Sequence, residues 1–276
     1  PIYDAIIHAC SSAGTGGFSL WNDSIAHYNS PAIEMAIAIF ILLFGVNFNL
    51  YYFLAIKKFA LVFKNEELRV YLGVIVCATG VIGISLVEHY GSVLESLRRT
   101  FFMVCSTITS TGFATTDTGE WNNFAQTLLV LLMFVGACAG STGGGMKVSR
   151  ILIIVKTGIR ELKYIVSPRA VATVKMDGKP VEKDVIRGAS NYFILFMLIY
   201  AFSVLMLSFD TFTFEENVSA VTTCMNNIGF GLGRLDTSGN FGGFSVFSKL
   251  VLCFDMLIGR LEIYPLIMLF GIRKRY

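Results

Sequence analysis

The sequence predicts an all-α multi-pass membrane protein built from a repeated unit: a spanning helix, a short pore helix, a filter loop and a second spanning helix. Two observations carry that prediction. Of the 276 residues, 54% are hydrophobic and only 15% charged, against roughly 25% charged in soluble domains. One short phrase also occurs three times between long apolar stretches, as Thr15-Gly16-Gly17-Phe18-Ser19, Ser110-Thr111-Gly112-Phe113-Ala114 and Asn227-Ile228-Gly229-Phe230-Gly231. The phrase glycines stand 95 residues apart (17 to 112) and then 117 (112 to 229). Solenoid repeats run to roughly 20–50 residues, so each repeat here is a two-span module.

Taken in order, Asp4 to Gly14 reads as the first pore helix, since it is too short to span and runs straight into a Gly-Phe step. Ile33 to Ile56 has the roughly 20 residues a bilayer crossing needs and reads as one span. Val70 to Val87 is the next, followed by a second pore helix from Ser92 to Ser110. Phe124 to Val155 is a span with an interruption, Tyr192 to Phe212 a further span, Glu215 to Asn227 the third pore helix, and Phe244 to Phe270 a last span with a charged break. The repeats divide the chain into 1–60, the end of one pore unit; 61–180, a unit with an interrupted helix; and 181–276, another unit.

Basic residues orient these spans. Lys57, Lys58, Lys64 and Arg69 share one connection, nine Lys or Arg lie from Arg150 to Arg187, and Arg273, Lys274 and Arg275 close the chain. Under the positive-inside rule all three regions are cytoplasmic and all three Gly-Phe loops face outward. The net charge of +3 therefore requires no nucleic-acid partner. The six cysteines, at 10, 77, 105, 138, 224 and 253, sit singly in apolar or pore-helix stretches and read as packing residues. His8, His27 and His89 are scattered and form no ligand pattern.

A Gly-Phe step preceded by small or hydroxylated residues, and entered from a short helix, suits a loop whose carbonyls face a narrow axis. Several such loops around one axis make an ion filter. The run Gly140 to Lys147 looks like a phosphate-binding loop, but Met146 separates the last glycine from the lysine and Val148 follows where Ser or Thr is required. Its glycines instead interrupt a helix at membrane depth, where freed backbone groups must face protein or water. This segment, with Gly140, Gly143, Gly144, Gly145 and Lys147, is expected to form a gate below the filter. Arg260 is the second irregularity. A charge inside a span costs at least ~2.5–3.5 kcal/mol, so it either pairs with Glu262 or with backbone to pack the bundle, or stands at the pore wall, raising the barrier to cations and donating to the glycine-loop carbonyls.

Five motifs in one order resemble the Trk/Ktr/HKT superfamily of cation transporters. They are Thr-Gly-Gly-Phe-Ser at 15–19, Ser-Thr-Gly-Phe-Ala-Thr-Thr-Asp at 110–117, Cys-Ala-Gly-Ser-Thr-Gly-Gly-Gly-Met-Lys at 138–147, Asn-Asn-Ile-Gly-Phe-Gly-Leu-Gly at 226–233 and Gly-Arg-Leu-Glu-Ile-Tyr-Pro at 259–265. The resemblance covers the whole chain and implies four units arranged pseudo-four-fold around a central pore, of which the first is missing here. It implies potassium uptake through a filter of Thr15, Gly16, Gly17, Ser110, Thr111, Gly112, Asn227, Ile228 and Gly229, with potassium as the bound ion and no organic cofactor or enzymatic activity. It further implies a homodimer in the bacterial inner membrane, with a cytosolic nucleotide-binding regulatory subunit of the TrkA type docking on the basic stretch Lys156 to Lys183. A sodium-permeable or non-selective cation pathway of the same fold is the alternative. Glycine in all three loops tilts the reading toward potassium.

Overall fold

The structure, a computed structural model, describes residues 2–167, 173–237 and 239–270. Arg169 and the terminal Arg273, Lys274 and Arg275, expected above to be cytoplasmic, lie outside the described residues.

Helix α1 (Ile2–Ala13) enters the first Gly-Phe loop. Then come α2 (Pro31–Phe44), α3 (Phe48–Ala55) and α4 (Phe59–Lys64). The expected single span over 33–56 is not continuous: α2 and α3 are bent by 92°. Close packing and a fresh cap cause the break. A Cβ on Gly45 would stand 2.8 Å from the Thr109 methyl group and 3.1 Å from the Tyr71 ring, so the chain passes there only as glycine. Two residues on, the Asn47 side chain accepts from the Asn49 N–H at 2.9 Å and starts a new helix.

The middle of the chain comprises α5 (Glu66–Ser85), the single turn α6 (Val87–Tyr90), α7 (Val93–Ile108), α8 (Asn123–Val135) and α9 (Val148–Val166). The chain stops being helical between α8 and α9, as the glycines predict, with positive φ at Gly136, Gly140 and Gly145. A small hairpin, β1 (Lys175–Met176) and β2 (Lys179–Pro180), turns through Asp177-Gly178, both at positive φ, the turn that twisted hairpins favour. The last helices are α10 (Lys183–Leu207), α11 (Phe214–Asn226), α12 (Val246–Leu261) and α13 (Ile263–Phe270). The charged break expected in its final span falls at Glu262, φ 62°.

Among the described residues, α5 and α10 are long and apolar enough to cross a membrane, and α2 with α3 reaches that length only as a bent pair. Burial follows the pattern of a bilayer solvent. On α5, Val76 and Ile84 are each 72% exposed while Tyr71, Ile75 and Ile82 are buried. Conversely, the hydroxyl-rich end of α7, Ser106, Thr107, Thr109, Ser110 and Thr111, is wholly buried. Helix α7 is wrapped by α2, α5 and α8, and α11 by α8, α10 and α12. The two basic connections share one side of the molecule: Asn65 donates to Asp177 at 3.1 Å, and Lys156 donates to the Lys175 carbonyl at 2.8 Å while pairing with Glu66.

Candidate functional site

Each Gly-Phe loop leaves the helix before it, α1, α7 or α11, by the same backbone path. Thr15, Ser110 and Asn227 take left-handed φ values of 47°, 56° and 55°, and the glycines two residues on, Gly17, Gly112 and Gly229, take 66°, 86° and 109°. Gly16, Thr111 and Ile228, between them, do not. In an ordinary strand successive carbonyls point to opposite sides; alternating handedness brings them toward one side and the amides toward the other. Most of these amides bond back to the preceding helix. Gly16 N–H donates to Ser11 O at 2.8 Å, Thr111 N–H to Ser106 O at 2.9 Å and Ile228 N–H to Thr223 O at 2.9 Å, in each case the carbonyl five residues back. Hydroxyl groups take two further amides, with Phe18 N–H on Ser11 Oγ at 2.7 Å and Gly229 N–H on Thr223 Oγ1 at 2.8 Å. Among the described residues, no hydrogen bond ends on the carbonyls of the nine loop residues expected to form the filter.

The loops abut in chain order. A Cβ on Gly17 would strike the carbonyl of Thr111, standing 3.0 Å from its carbon, and one on Gly112 would strike that of Ile228, 2.9 Å from its carbon. Among the described residues, a Cβ on Gly229 would meet nothing within 4 Å. The three glycines, separated by about a hundred residues each, therefore form a chain of contacts that is open at one end. The loop phenylalanines follow the same asymmetry. Phe113 and Phe230 are buried, whereas Phe18 is 74% exposed.

The glycine-rich segment seats against all three loops. Thr15 Oγ1 donates to Thr142 O at 2.9 Å. A Cβ on Gly143 would lie 3.0 Å from Thr109 O, and one on Gly144 would lie 3.0 Å from Asn226 O, 3.4 Å from Asn227 and 3.5 Å from Ser110. The α2–α3 elbow supports the segment from the other side, since Cys138 N–H donates to Gly45 O at 3.0 Å and Phe48 N–H to Gly140 O at 3.1 Å.

Arg260 pairs with backbone, one of the arrangements expected for it: it neither meets Glu262 nor donates to the glycine segment, and its Nη2 donates to Gly14 O at 3.0 Å, at the end of α1. Glu262 pairs instead with Arg150 at 2.6 Å, the latter's guanidinium lying 4.2 Å over the Tyr192 ring. The positive φ at Glu262 breaks the helix and turns the two side chains apart. The cation that does reach a glycine-segment carbonyl is Lys147, which donates to Gly143 O. Sequence reasoning also passed over Glu67, a carboxylate on α5 that contacts this segment; its signal was an acidic residue buried at the head of an apolar helix.

The model of the TrkH family, described as cation transport protein, matches residues 1–275. The chain belongs to the TrkH family. It is 36% identical over 274 residues to the Trk system potassium uptake protein TrkH of Salmonella typhimurium and 36% identical over 277 residues to the Trk system potassium uptake protein TrkG of Escherichia coli, each match covering 98% of this chain and 56% of the relative. The crystal structure of the potassium transporter TrkH from Vibrio parahaemolyticus superimposes with a TM-score of 0.88 at 35% identity, covering 98% of this chain and 58% of that one. The chain thus spans little more than half the length of the TrkH-family proteins it matches. Its apolar helices, its lipid-type burial and its family make it a membrane protein, and its relatives are transporters rather than enzymes.

Proposed function

We propose that this chain forms three quarters of a potassium uptake pathway in the bacterial inner membrane, with Thr15, Gly16, Gly17, Ser110, Thr111, Gly112, Asn227, Ile228 and Gly229 as its filter. The observation that carries the reading is the abutment of Gly17 on Thr111 and of Gly112 on Ile228, with most of the loop amides bonded to the preceding helices and the carbonyls left over. Removing water from a monovalent ion costs tens of kcal/mol by Born arguments, so several oxygens must converge on it at once. The C-terminal ends of α1, α7 and α11 adjoin the same loops, and the partial negative charge of helix C-termini favours a cation there. A fourth loop fits the open side of Gly229, giving a pseudo-four-fold pore.

Below the filter, residues 140–145 act as the gate, with Lys147 and Arg260 adding positive charge that opposes cation passage. The transporter works as a homodimer under a TrkA-like cytosolic nucleotide-binding subunit, which docks on the basic face from Lys156 to Lys183 and biases the gate by contacting its closed and open forms unequally. The test is growth rescue. Expression of the intact protein restores growth of a potassium-uptake-deficient bacterium on low-potassium medium without any organic substrate. Absence of rescue by protein that reaches the membrane, or uptake that does not distinguish potassium from sodium, would overturn the reading.

A further inference from the structure

Glu67 lies in the first turn of α5, 5% exposed. Its Oε1 accepts two backbone N–H groups, from Ala139 at 2.7 Å and from Ser149 at 3.1 Å. These amides flank the glycine run on either side. Ser149 lies in the first turn of α9, where helix N–H groups have no partner within the helix and where Lys147 at the cap position supplies no side-chain acceptor. A carboxylate from α5 therefore does the work of a missing cap, helped by the positive end of the helix dipole. Val148 N–H, on Ala137 O at 3.0 Å, ties the same two strands of the neck together. The turn that carries Glu67 is itself held in place: Asp177 of the cytoplasmic hairpin accepts Glu66 N–H at 2.6 Å, and Asn65 caps Leu68 N–H at 2.8 Å.

We propose that Glu67 is a positioning residue that clasps the neck of the glycine segment and fixes the seat from which it meets the three loops. Any motion that separates Ala139 from Ser149 must break at least one of the two hydrogen bonds to this buried acceptor. The consequence for ion flow rests on the reading of 140–145 as a gate, but the clasp has a readout of its own. Cys138, next to Ala139, is completely buried, as are Cys105 and Cys224 to within 3% in pore helices α7 and α11.

The test compares Glu67→Ala, Glu67→Gln and Glu67→Asp in the intact protein in proteoliposomes, reading N-ethylmaleimide labelling of each cysteine by mass spectrometry and potassium flux without the regulatory subunit. Losing the acceptor should make Cys138 label about ten- to a hundredfold faster while Cys105 and Cys224 stay protected, and basal flux should rise with it. The Gln amide oxygen can accept both bonds, so Glu67→Gln should return labelling and flux toward wild type. If Glu67→Ala exposes all three cysteines, Glu67→Asp, which keeps the charge but retracts the acceptor, becomes the deciding variant and should label Cys138 selectively. Wild-type labelling of Cys138 in a variant that keeps the pore-helix cysteines protected overturns the clasp. Faster labelling with unchanged flux supports the clasp and removes the gating role from the segment it holds.

Discussion

Replacing Gly112 by alanine tests the filter at its tightest contact. The new Cβ would stand 2.9 Å from the carbonyl carbon of Ile228, and nearer still to its oxygen. Non-bonded carbons settle at roughly 3.5–4.0 Å, so the loops at Gly112 and Gly229 must part by at least about 0.6 Å. The φ of +86° at Gly112 adds roughly 1–2 kcal/mol of backbone strain for any L residue. An oxygen cage that replaces hydration water for one ion size does not survive such a shift unchanged. Rubidium and sodium uptake into proteoliposomes should show slower alkali-ion flux and a weaker preference for potassium-sized ions, with the protein still eluting as a single folded species. Gly17→Ala should behave alike, because its Cβ would strike Thr111. Gly229→Ala meets no neighbour among the described residues but carries the strain of its φ of 109°, so it should impair flux less than Gly112→Ala. Undiminished flux and selectivity in folded Gly112→Ala would refute the assignment of these carbonyls to ion coordination.

Two other outcomes are expected. Arg260→Ala removes the donor to Gly14 O and a positive charge beside the first loop, so basal rubidium flux should rise several-fold with selectivity intact; lower flux would show that Arg260 supports the pore instead of obstructing it. Asp210, between α10 and α11, is held below the usual carboxylate range by the Ser248 hydroxyl and then by the Ser245 N–H, at 3.1 Å. A depressed carboxylate stabilises the fold at neutral pH and loses that contribution as pH falls through its folded-state value, so Asp210→Asn should flatten the acid limb of a plot of melting temperature against pH. A limb identical to wild type would contradict that role.

The three short helices before the Gly-Phe loops were legible because their signals are local. Asp4 to Gly14, Ser92 to Ser110 and Glu215 to Asn227 differ by only one or two residues at each end from α1, α7 and α11, since a short amphipathic run ending in a small or Asn residue before Gly-Phe marks its own boundaries. The abutment of the loops was not legible, because it joins residues about a hundred positions apart. The elbow at Gly45–Asn47 was written in the sequence as a stop residue followed by a cap residue, but an unbroken apolar composition outweighed them. Asp177-Gly178, the strongest short hairpin signal in the chain, was likewise hidden in a stretch read for its charge. Glu262 could not be assigned to Arg150 without knowing that the helix breaks between Leu261 and Ile263.

The elbow and the glycine segment explain each other. Main-chain groups freed from a helix at membrane depth must find partners in protein, and each of these breaks supplies what the other lacks. Gly45 offers its carbonyl to Cys138 N–H, and Phe48, at the start of α3 with no helical acceptor, gives its N–H to Gly140 O. Thr142 Oγ1 reaches back to Phe44 O at 3.4 Å. Either interruption alone would leave orphaned polar groups; together they form a small irregular core between units that are separate in sequence. That core touches α5 through Glu67, α7 through Thr109, α11 through Asn226 and the first loop through Thr15. A rearrangement of the glycine segment therefore cannot stay within the helix that carries it. It must exchange partners with all three units at once, which makes a two-position switch a better physical description of this region than a freely moving loop.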